Sequence, residues 1–270
     1  MSKVDELFQR LRGDGRKALM PFITAGDPDF ETTVAILNGV KAAGADLCEI
    51  GVPYSDPIAD GPVIQESYQR ALDSGFRLDG LFDLPSQVRN ADAQLPLVTM
   101  ASYSIIYRMG LRQYVQRAID AGYAGAIVPD LLVEEAGPLS KVCSELDFSL
   151  VLLVTPTTSR DRQIRIAESS TGFLYFVSVT GITGERAALP ETLGENVRWL
   201  KQRTDLPICI GFGISGPETA AQLAPVADGL IVGSAVVRRI AAASDRDDAV
   251  KRVSQFVGEL RTAIDSAPVD

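Results

Sequence analysis

The sequence predicts a single-domain (β/α)8 barrel with extra helices, spanning residues 1–270. Three observations support this fold class. The chain has 270 residues, close to the length of about 250 that such barrels commonly have. Short apolar runs alternate with longer amphipathic segments, as a repeated strand–helix unit requires. No linker, low-complexity tract or block of like charge divides the chain.

The predicted strands are short and several are almost continuously apolar, which is typical of parallel strands buried on both faces. A doubly wound open sheet is the structural alternative. It would place a G-x-G-x-x-G motif after the first strand, whereas the match at Gly211–Gly216 follows the seventh, so the barrel is favoured. The eight strands are expected near Ala18–Thr24, Leu47–Gly51, Leu97–Ala101, Gly125–Pro129, Leu150–Val154, Phe173–Ser178, Pro207–Gly211 and Gly229–Val232.

Helices are predicted from apolar residues that recur every three or four positions. Pro62 suits the first position of a helix that ends at Gly75, and Pro85 is expected to kink or split the helix over Leu78–Val88. Gly44 is a stop signal for the helix before it. The other predicted helices are Asp29–Ala43, Arg112–Ala121, Glu134–Glu145, Arg160–Ser169, Leu193–Arg203 and Pro217–Leu223.

Composition restricts the function classes. A formal net charge of -9 argues against nucleic acid or an anionic membrane as the main partner. No apolar run approaches the roughly 20 residues of a membrane helix, and Met1–Arg12 lacks a signal-peptide core, so a cytoplasmic protein is expected. Cys48 and Cys209 lie in apolar runs and are expected to be buried, reduced thiols.

The absence of histidine removes the commonest general base, the usual catalytic triads and most zinc sites. None of the six lysines falls at the carboxyl end of a predicted strand, where a Schiff-base aldolase would need one. No clear carboxylate cluster suggests a metal. The sequence therefore favours metal-free acid–base chemistry.

Two carboxylates near the second strand are the candidate catalytic groups. Glu49 alternates with Leu47 and Gly51, which predicts that it points into the barrel at a strand end. Its structural alternative is a buried salt bridge. Asp60 follows a turn-rich loop and precedes Gly61–Pro62, so its alternative is a helix N-cap, as it is for Asp56, which is the weaker catalytic candidate.

Glycines after the last two strands predict an anion site. Gly211–Ser215 follows the seventh strand and Gly233-Ser234 the eighth, where barrels of this class commonly bind phosphate through backbone N–H groups. Ordinary turn chemistry is the alternative. The small and flexible segment Thr180–Arg186 is predicted to be a lid over the site, with a solvated loop as its alternative.

Along nearly its whole length the chain resembles the tryptophan synthase α-subunit family. The similarity is most specific around Glu49 and Asp60, and it is also carried by Pro21–Pro28, Gly181–Gly184, Gly211–Ser215 and Val232–Ala235. The resemblance implies a lyase that cleaves indole-3-glycerol phosphate to indole and glyceraldehyde 3-phosphate in tryptophan biosynthesis. It implies acid–base catalysis by Glu49, stabilisation of the indole nitrogen by Asp60 and positioning of Glu49 by Tyr175.

The same resemblance implies the substrate contacts and partners. The indole pocket is expected from Phe22, Met100, Ile127, Leu153 and Phe212, and the phosphate site from Gly184, Gly213, Gly233 and Ser234, with Thr183 in the lid. No cofactor is expected in this subunit. A tryptophan synthase β-subunit that carries pyridoxal phosphate is the expected partner, in an α2β2 heterotetramer, with no nucleic acid and no membrane.

Two segments depart from the family pattern. Ser102–Tyr107 lacks the aromatic–Asn–Pro signature of a loop that meets the β-subunit, and Asp130–Glu135 lacks a proline often found after the aspartate. A stand-alone indole-3-glycerol phosphate lyase therefore stays open as an alternative. So do another phosphosugar barrel, such as an isomerase or an indole-forming synthase, and a catalytically inactive barrel kept as an allosteric partner.

Overall fold

The computed structural model describes residues 1–88, 95–177, 191–211 and 213–268. Its nine strands form one parallel sheet in the order β5-β4-β3-β2-β1-β9-β8-β7-β6. The strands are β1 Ala18–Thr24, β2 Cys48–Gly51, β3 Leu97–Met100, β4 Gly125–Ile127, β5 Ser149–Val151, β6 Leu153–Val154, β7 Leu174–Val177, β8 Ile208–Gly211 and β9 Gly229–Val232.

The two edges of this sheet are one continuous piece of chain. The predicted fifth strand is divided into β5 and β6 at Leu152. Val128 N donates to Val151 O on one side, and Tyr175 N donates to Leu152 O on the other. The sheet is therefore closed into a barrel, as predicted, and the open-sheet alternative is wrong.

Helices follow the strands around the barrel, and all eight predicted ones are present. Four more, α1, α5, α11 and α12, were not predicted. The helices of the described residues are α1 Lys3–Gly13, α2 Phe30–Ala42, α3 Pro62–Asp73, α4 Leu78–Gln87, α5 Tyr103–Met109, α6 Leu111–Ala121, α7 Gly137–Glu145, α8 Arg160–Ser169, α9 Glu191–Lys201, α10 Pro217–Leu223, α11 Ser234–Ala241 and α12 Arg246–Asp265.

Helix α4 runs through Pro85 to Gln87, so the expected split does not occur. A proline leaves the carbonyl four residues before it without its helical N–H donor. Here that carbonyl belongs to Leu81, and the hydroxyl of Tyr123 donates to it at 2.8 Å. The substitute donor, together with the position of Pro85 in the last turn, explains why the helix continues.

The alternation of side chains along each strand separates a barrel interior from an outer layer that packs under the helices. Leu47 belongs to the interior cluster, whereas Cys48 and Ile50 belong to the outer one. This confirms the predicted direction of Glu49. Cys48 and Cys209 are free and buried, also as predicted.

Helix α1 closes the amino-terminal end of the barrel. Its buried residues Val4, Leu7, Phe8 and Leu11 join the interior cluster, and the ring of Phe8 lies 5.7 Å from that of Phe173. Ser2 caps the helix through a capping box. Helix α1 therefore fills the amino-terminal end of the interior, which we call the lower end. The upper end is the one at which the strands terminate.

Helix α12 is fixed to the same lower end by a buried arginine. Arg261 donates through Nη1 to Asp46 Oδ2 at 3.0 Å and to the carbonyl of Lys17 at 3.0 Å. It is also paired with Asp265 in its own helix. Asp46 lies two residues before β2 and Lys17 one residue before β1, so this network ties the last helix to the beginnings of two strands.

Candidate active site

Strand β2 presents Glu49 to the upper part of the barrel. Its register partner on β1 is Phe22, and its partner on β3 is Val98. The glutamate side chain is only 1% exposed. A carboxyl at this depth must be neutral, paired or hydrogen-bonded, because an isolated charge is costly in a medium of low polarity.

The structure gives Glu49 no ion pair within the described residues, and its Oε1 has no hydrogen-bond partner there. The described residues therefore offer no support for the salt-bridge alternative. Burial, and secondarily the charge of Asp60, raise the pKa of Glu49 to about 8. A group with this pKa can give and take a proton near neutral pH.

Asp60 lies in the loop that leads from β2 to α3. The N-cap of α3 is Gly61, and it makes no side-chain capping bond, so the N-cap alternative for Asp60 is wrong. Oδ2 of Asp60 is buried without a partner among the described residues. Burial, followed by the charge of Asp130, raises the pKa of Asp60 to about 6.

Tyr175 on β7 reaches the same region from the opposite side of the barrel. It is 6% exposed, and burial raises its pKa further above the ordinary value, with added contributions from the charges of Glu49 and Asp60. Its ring lies against Gly211 on the neighbouring strand β8. The structure thus brings the three predicted catalytic residues into one electrostatic environment.

The predicted apolar contacts also come together. Met100, Ile127, Leu153 and Tyr175 share the interior cluster, and Met100 joins a second cluster that contains Phe22. Gly51 provides the space for the Phe22 ring, because a Cβ at position 51 would lie 2.4 Å from Phe22 Cζ. A half-buried methionine therefore links two apolar surfaces beside Glu49.

Sequence reasoning missed the aromatic half of the second cluster. Tyr68 and Ile64 on α3, Val237 on α11 and half-buried Tyr54 pack with Phe22, and the rings of Tyr54 and Tyr68 are 5.8 Å apart. The signal was present, since Ile64, Ser67, Tyr68 and Ala71 form the buried face of a helix that begins two residues after Asp60. The helix was predicted without assigning this face.

Polar contacts fix α3 to the end of β1 and to the loop that follows it. Thr24 and Ser67 share a buried hydrogen bond of 2.6 Å, and Arg70 forms a bidentate pair with the buried Asp27 at 2.9 and 2.7 Å. Gln65 Nε2 donates to the carbonyls of Pro57 and Asp60 at 3.2 and 2.8 Å. The loop that carries Asp60 is thus held from the helix that follows it.

The predicted phosphate glycines lie after adjacent strands. Gly213 follows β8 with φ +79°, a conformation that favours glycine, and Gly233 separates β9 from α11. Ser234 is the first residue of α11, and the first N–H groups of a helix have no acceptor within it. This arrangement offers backbone donors and the positive end of a helix dipole to an anion. Thr183, Gly184, Phe212 and the predicted lid at 180–186 lie outside the described residues.

Asp130 is a further polar group that sequence reasoning did not assign to the site. It follows β4, and its carboxylate accepts hydrogen bonds from Ser102 Oγ at 2.7 Å and from Tyr103 N at 2.8 Å. Ser102 is the N-cap of α5, in the segment that departs from the family signature. These contacts could not be found from sequence, because Ser102 and Tyr103 precede Asp130 by 28 and 27 residues.

The described part of the chain contains no group of three or more acidic or cysteine side chains arranged to hold a metal ion. Each lysine lies in a helix or immediately before β1, and none lies at the carboxyl end of a strand. None of the described helices combines the length and apolarity needed to cross a membrane. Among the described residues, the titratable groups that geometry and burial place near the upper end include Glu49, Asp60, Asp130 and Tyr175.

A closed β/α barrel with two buried carboxylates and glycine turns after its last two strands has the layout of the barrel class of enzymes, whose active sites lie at the carboxyl ends of the strands. Comparison with known proteins specifies the family. The family model described as tryptophan synthase alpha chain matches residues 8–265, and the chain belongs to this family.

Relatives cover the full chain. The chain is 63% identical to the tryptophan synthase alpha chain of Rhodopirellula baltica, over 99% of this chain and 100% of that one. A Synechococcus elongatus alpha chain is 44% identical over 100% and 99%. The crystal structure of the alpha subunit from Legionella pneumophila superposes with a TM-score of 0.90 at 36% identity, over 98% and 99% of the two chains.

Proposed function

We propose that the chain cleaves indole-3-glycerol phosphate to indole and glyceraldehyde 3-phosphate, with Glu49 as acid and base and Asp60 as the electrostatic stabiliser. The observation that carries the assignment is a pair of buried carboxyl oxygens, Glu49 Oε1 and Asp60 Oδ2, that have no hydrogen-bond partner among the described residues. Such groups destabilise a fold and are retained where they serve a reaction.

The reaction begins with Glu49 protonated and Asp60 ionised, the state that their pKa values of about 8 and about 6 favour at neutral pH. Glu49 protonates indole C3, which places positive charge on the ring nitrogen. The Asp60 carboxylate stabilises that charge in a site largely shielded from water.

The second half of the reaction returns the proton. The Glu49 carboxylate takes the proton from the hydroxyl on the carbon bonded to indole C3. That oxygen becomes the aldehyde of glyceraldehyde 3-phosphate, the carbon–carbon bond breaks, and its electron pair returns to the ring as indole forms. Glu49 ends protonated, as it started, so proton and electron counts balance without a cofactor in this chain.

Apolar residues are proposed to contact the indole ring of the substrate, and the glycine-rich turns are proposed to bind its phosphate. Met100, Ile127, Leu153 and Phe22 offer an apolar wall for the indole ring, and Phe212 is proposed to complete it. Gly213, Gly233 and Ser234 are proposed to hold the phosphate together with Gly184, with Thr183 in the closing lid. Tyr175 is proposed to position the Glu49 carboxyl.

A complex with a tryptophan synthase beta chain is the second part of the proposal. Three large apolar residues are exposed at the catalytic end: Ile58 at 88%, Tyr107 at 70% and Leu132 at 55%. Ile58 comes after β2 in the chain, Tyr107 after β3 and Leu132 after β4, and these three strands are neighbours in the sheet. We call the three residues the partner face. A solved relative is described as tryptophan synthase of Mycobacterium tuberculosis in an aminoacrylate-bound form. An α2β2 assembly with pyridoxal phosphate in the beta chain completes this proposal.

The test is indole release from indole-3-glycerol phosphate by the purified chain, alone and with the beta chain. Slow release that rises steeply with the beta chain supports the proposal. Glu49→Gln should abolish release, and the exposed Glu168→Gln on α8 is the matched control. Normal cleavage by Glu49→Gln would contradict the assigned role.

A stand-alone lyase is the second candidate, and the altered Ser102–Tyr107 segment favours it. Ser102 is the N-cap of α5, and the exposed Tyr107 lies within that helix. Fast release by the isolated chain, with no increase on adding the beta chain, would select this candidate.

A further inference from the structure

We propose that Gln65 is a positioning residue for Asp60. Its side-chain carboxamide holds both ends of the turn Pro57–Asp60, and in this way it fixes the Asp60 carboxylate relative to Glu49. This role rests on the proposed function, because it concerns how one member of the acid–base pair is held in place.

The carboxamide of Gln65 contacts two backbone carbonyls. Gln65 Nε2 donates to the carbonyl oxygen of Asp60 at 2.8 Å and to that of Pro57 at 3.2 Å. A carbonyl oxygen only accepts hydrogen bonds, whereas a carboxamide nitrogen carries two hydrogens, so one side chain satisfies both carbonyls at once. The same chemistry requires the nitrogen, not the oxygen, of the side chain to face the turn. Gln65 therefore bonds the backbone of Asp60 itself.

Packing contributes little to holding this turn. Asp60 N donates to the carbonyl of Pro57 at 3.1 Å, which closes the turn. The two central residues point into solvent, since Ile58 is 88% exposed and Ala59 is also exposed. Gly61, which joins the turn to α3, makes no side-chain capping bond. The two bonds from the helix side chain therefore supply a restraint that apolar burial does not.

Helix α3 is itself bonded firmly to the end of β1 and to the loop after it. Ser67 Oγ donates to the carbonyl of Ile64 at 2.7 Å, which uses its only hydrogen. Thr24 Oγ1 is therefore the donor in the bond of 2.6 Å between the two hydroxyls. Arg70 adds its two bonds to the buried Asp27. The helix is thus a fixed support for the side chains that it carries.

These bonds place both proposed catalytic carboxyls on one frame. Thr24 is the last residue of β1, and Phe22 on the same strand is the register partner of Glu49. A path of hydrogen bonds therefore runs from β1 through α3 to the turn that carries Asp60. Because Gln65 makes the last link, loss of its carboxamide shifts Asp60 relative to Glu49 while leaving both carboxyls intact.

The experiment compares the wild-type chain with Gln65→Met, which keeps a long unbranched side chain and removes both donors. Gln69→Met is the matched control, because Gln69 lies one turn further along α3 and its Nε2 donates to the exposed Asp73 at 2.7 Å. The substitution is the same, and so is the helix. Thermal unfolding of each variant establishes that it is folded.

The first readout is the split between kcat and KM for indole release. Gln65→Met should lower kcat at least about tenfold and change KM less than about threefold, because the Asp60 carboxylate acts in the transition state. A displacement of about 1 Å at a catalytic group can cost about a hundredfold. Gln69→Met should change neither constant by more than about twofold. A wild-type kcat in folded Gln65→Met would overturn the proposal.

The second readout separates positioning from a general structural effect. If Gln65 acts through the Asp60 carboxylate, adding Gln65→Met to Asp60→Asn should lower the residual indole release by less than about twofold, because the group being positioned has already been removed. A loss of the same size in both backgrounds would show that Gln65 does not act through Asp60, and the proposal would fail.

The third readout needs no substrate. Hydrogen exchange at the Asp60 amide reports the opening of the turn, since this amide donates to the carbonyl of Pro57. Exchange should be at least about threefold faster in Gln65→Met and unchanged in Gln69→Met. Equal exchange in wild type and Gln65→Met would overturn the proposal. Wild-type protein that forms no indole would instead refute the proposed function, and the exchange rates would still test the hold of Gln65 on the turn.

Discussion

The ring of Tyr175 occupies the place where a side chain on Gly211 would begin. A Cβ at position 211 would lie 2.3 Å from Tyr175 Oη and 2.6 Å from Cε1. The two residues belong to adjacent strands, and Tyr175 also lies within the electrostatic reach of Glu49. The smallest possible residue on β8 therefore sets the position of a tyrosine beside the proposed acid and base.

Gly211→Ala should displace the Tyr175 ring. We expect kcat/KM for indole formation to fall at least tenfold, and the free energy of unfolding to fall by about 1–3 kcal/mol, as for other overpacked interiors. Gly258→Ala on α12 is the control, since its Cβ would meet no atom within 4 Å. It should leave activity unchanged and stabilise the helix by about 0.5–1 kcal/mol.

The pH dependence of kcat/KM should be bell-shaped. Activity requires Asp60 ionised, so it rises as pH increases through about 6. Activity also requires Glu49 protonated, so it falls as pH increases through about 8. Steady-state measurements from pH 5 to 9.5 would check both limbs. A profile that stays flat across pH 8 would remove Glu49 from the role of initial acid.

Asp60→Asn should lower the pKa of Glu49, because the charge of Asp60 contributes to raising it. The direction follows from like charges, which disfavour a second anion. We expect indole formation to fall at least a hundredfold, since about 3 kcal/mol of stabilisation is typical of one buried electrostatic group in a transition state. 13C titration of glutamate carboxyls would measure the pKa directly. A pKa that moves upward would contradict the geometry.

Stability should depend on the buried Arg261 far more than on an exposed arginine of the same helix. Arg261→Met leaves the largely buried Asp46 without the nearer of its two charged partners and should cost about 3 kcal/mol. Arg252→Met breaks an exposed pair with Asp248 and should cost under about 1 kcal/mol. Urea unfolding followed by the fluorescence of the single tryptophan, Trp199, would compare them. Equal losses would mean that the Asp46 contact adds nothing.

Tyr107→Glu should weaken binding of the beta chain, because it places a charge on the partner face. We expect the Kd to rise at least tenfold, the consequence of about 1.4 kcal/mol, measured by titration calorimetry. Gln9→Glu adds the same charge on α1, at the opposite end of the barrel, and should leave the Kd unchanged. An unchanged Kd for Tyr107→Glu would move the interface elsewhere.

The barrel and its strand directions could be predicted because they depend on local patterns. The alternation of Leu47, Glu49 and Gly51 sufficed to orient Glu49, and the glycine turns were correctly placed after the last two strands, where the anion site stays a prediction. The division of the fifth strand at Leu152 did not show in the pattern, since it depends on which neighbours each half bonds.

What could not be predicted depends on contacts between distant segments. Nothing near Pro85 in the sequence shows that Tyr123 will supply the missing donor to Leu81. Asp130 was noted only for the residue that follows it, because its bonds to Ser102 and Tyr103 exist only once β3 and β4 are paired. The aromatic surface of α3 required knowing which side of that helix faces Phe22.

The plug formed by α1 also has a consequence for molecular traffic. With Val4, Leu7, Phe8 and Leu11 filling the lower end, the barrel interior is a cul-de-sac. Substrate and product must therefore pass through the upper end of the barrel, the end at which Ile58, Tyr107 and Leu132 are exposed. A protein bound at this end would lie in the path by which indole leaves the barrel.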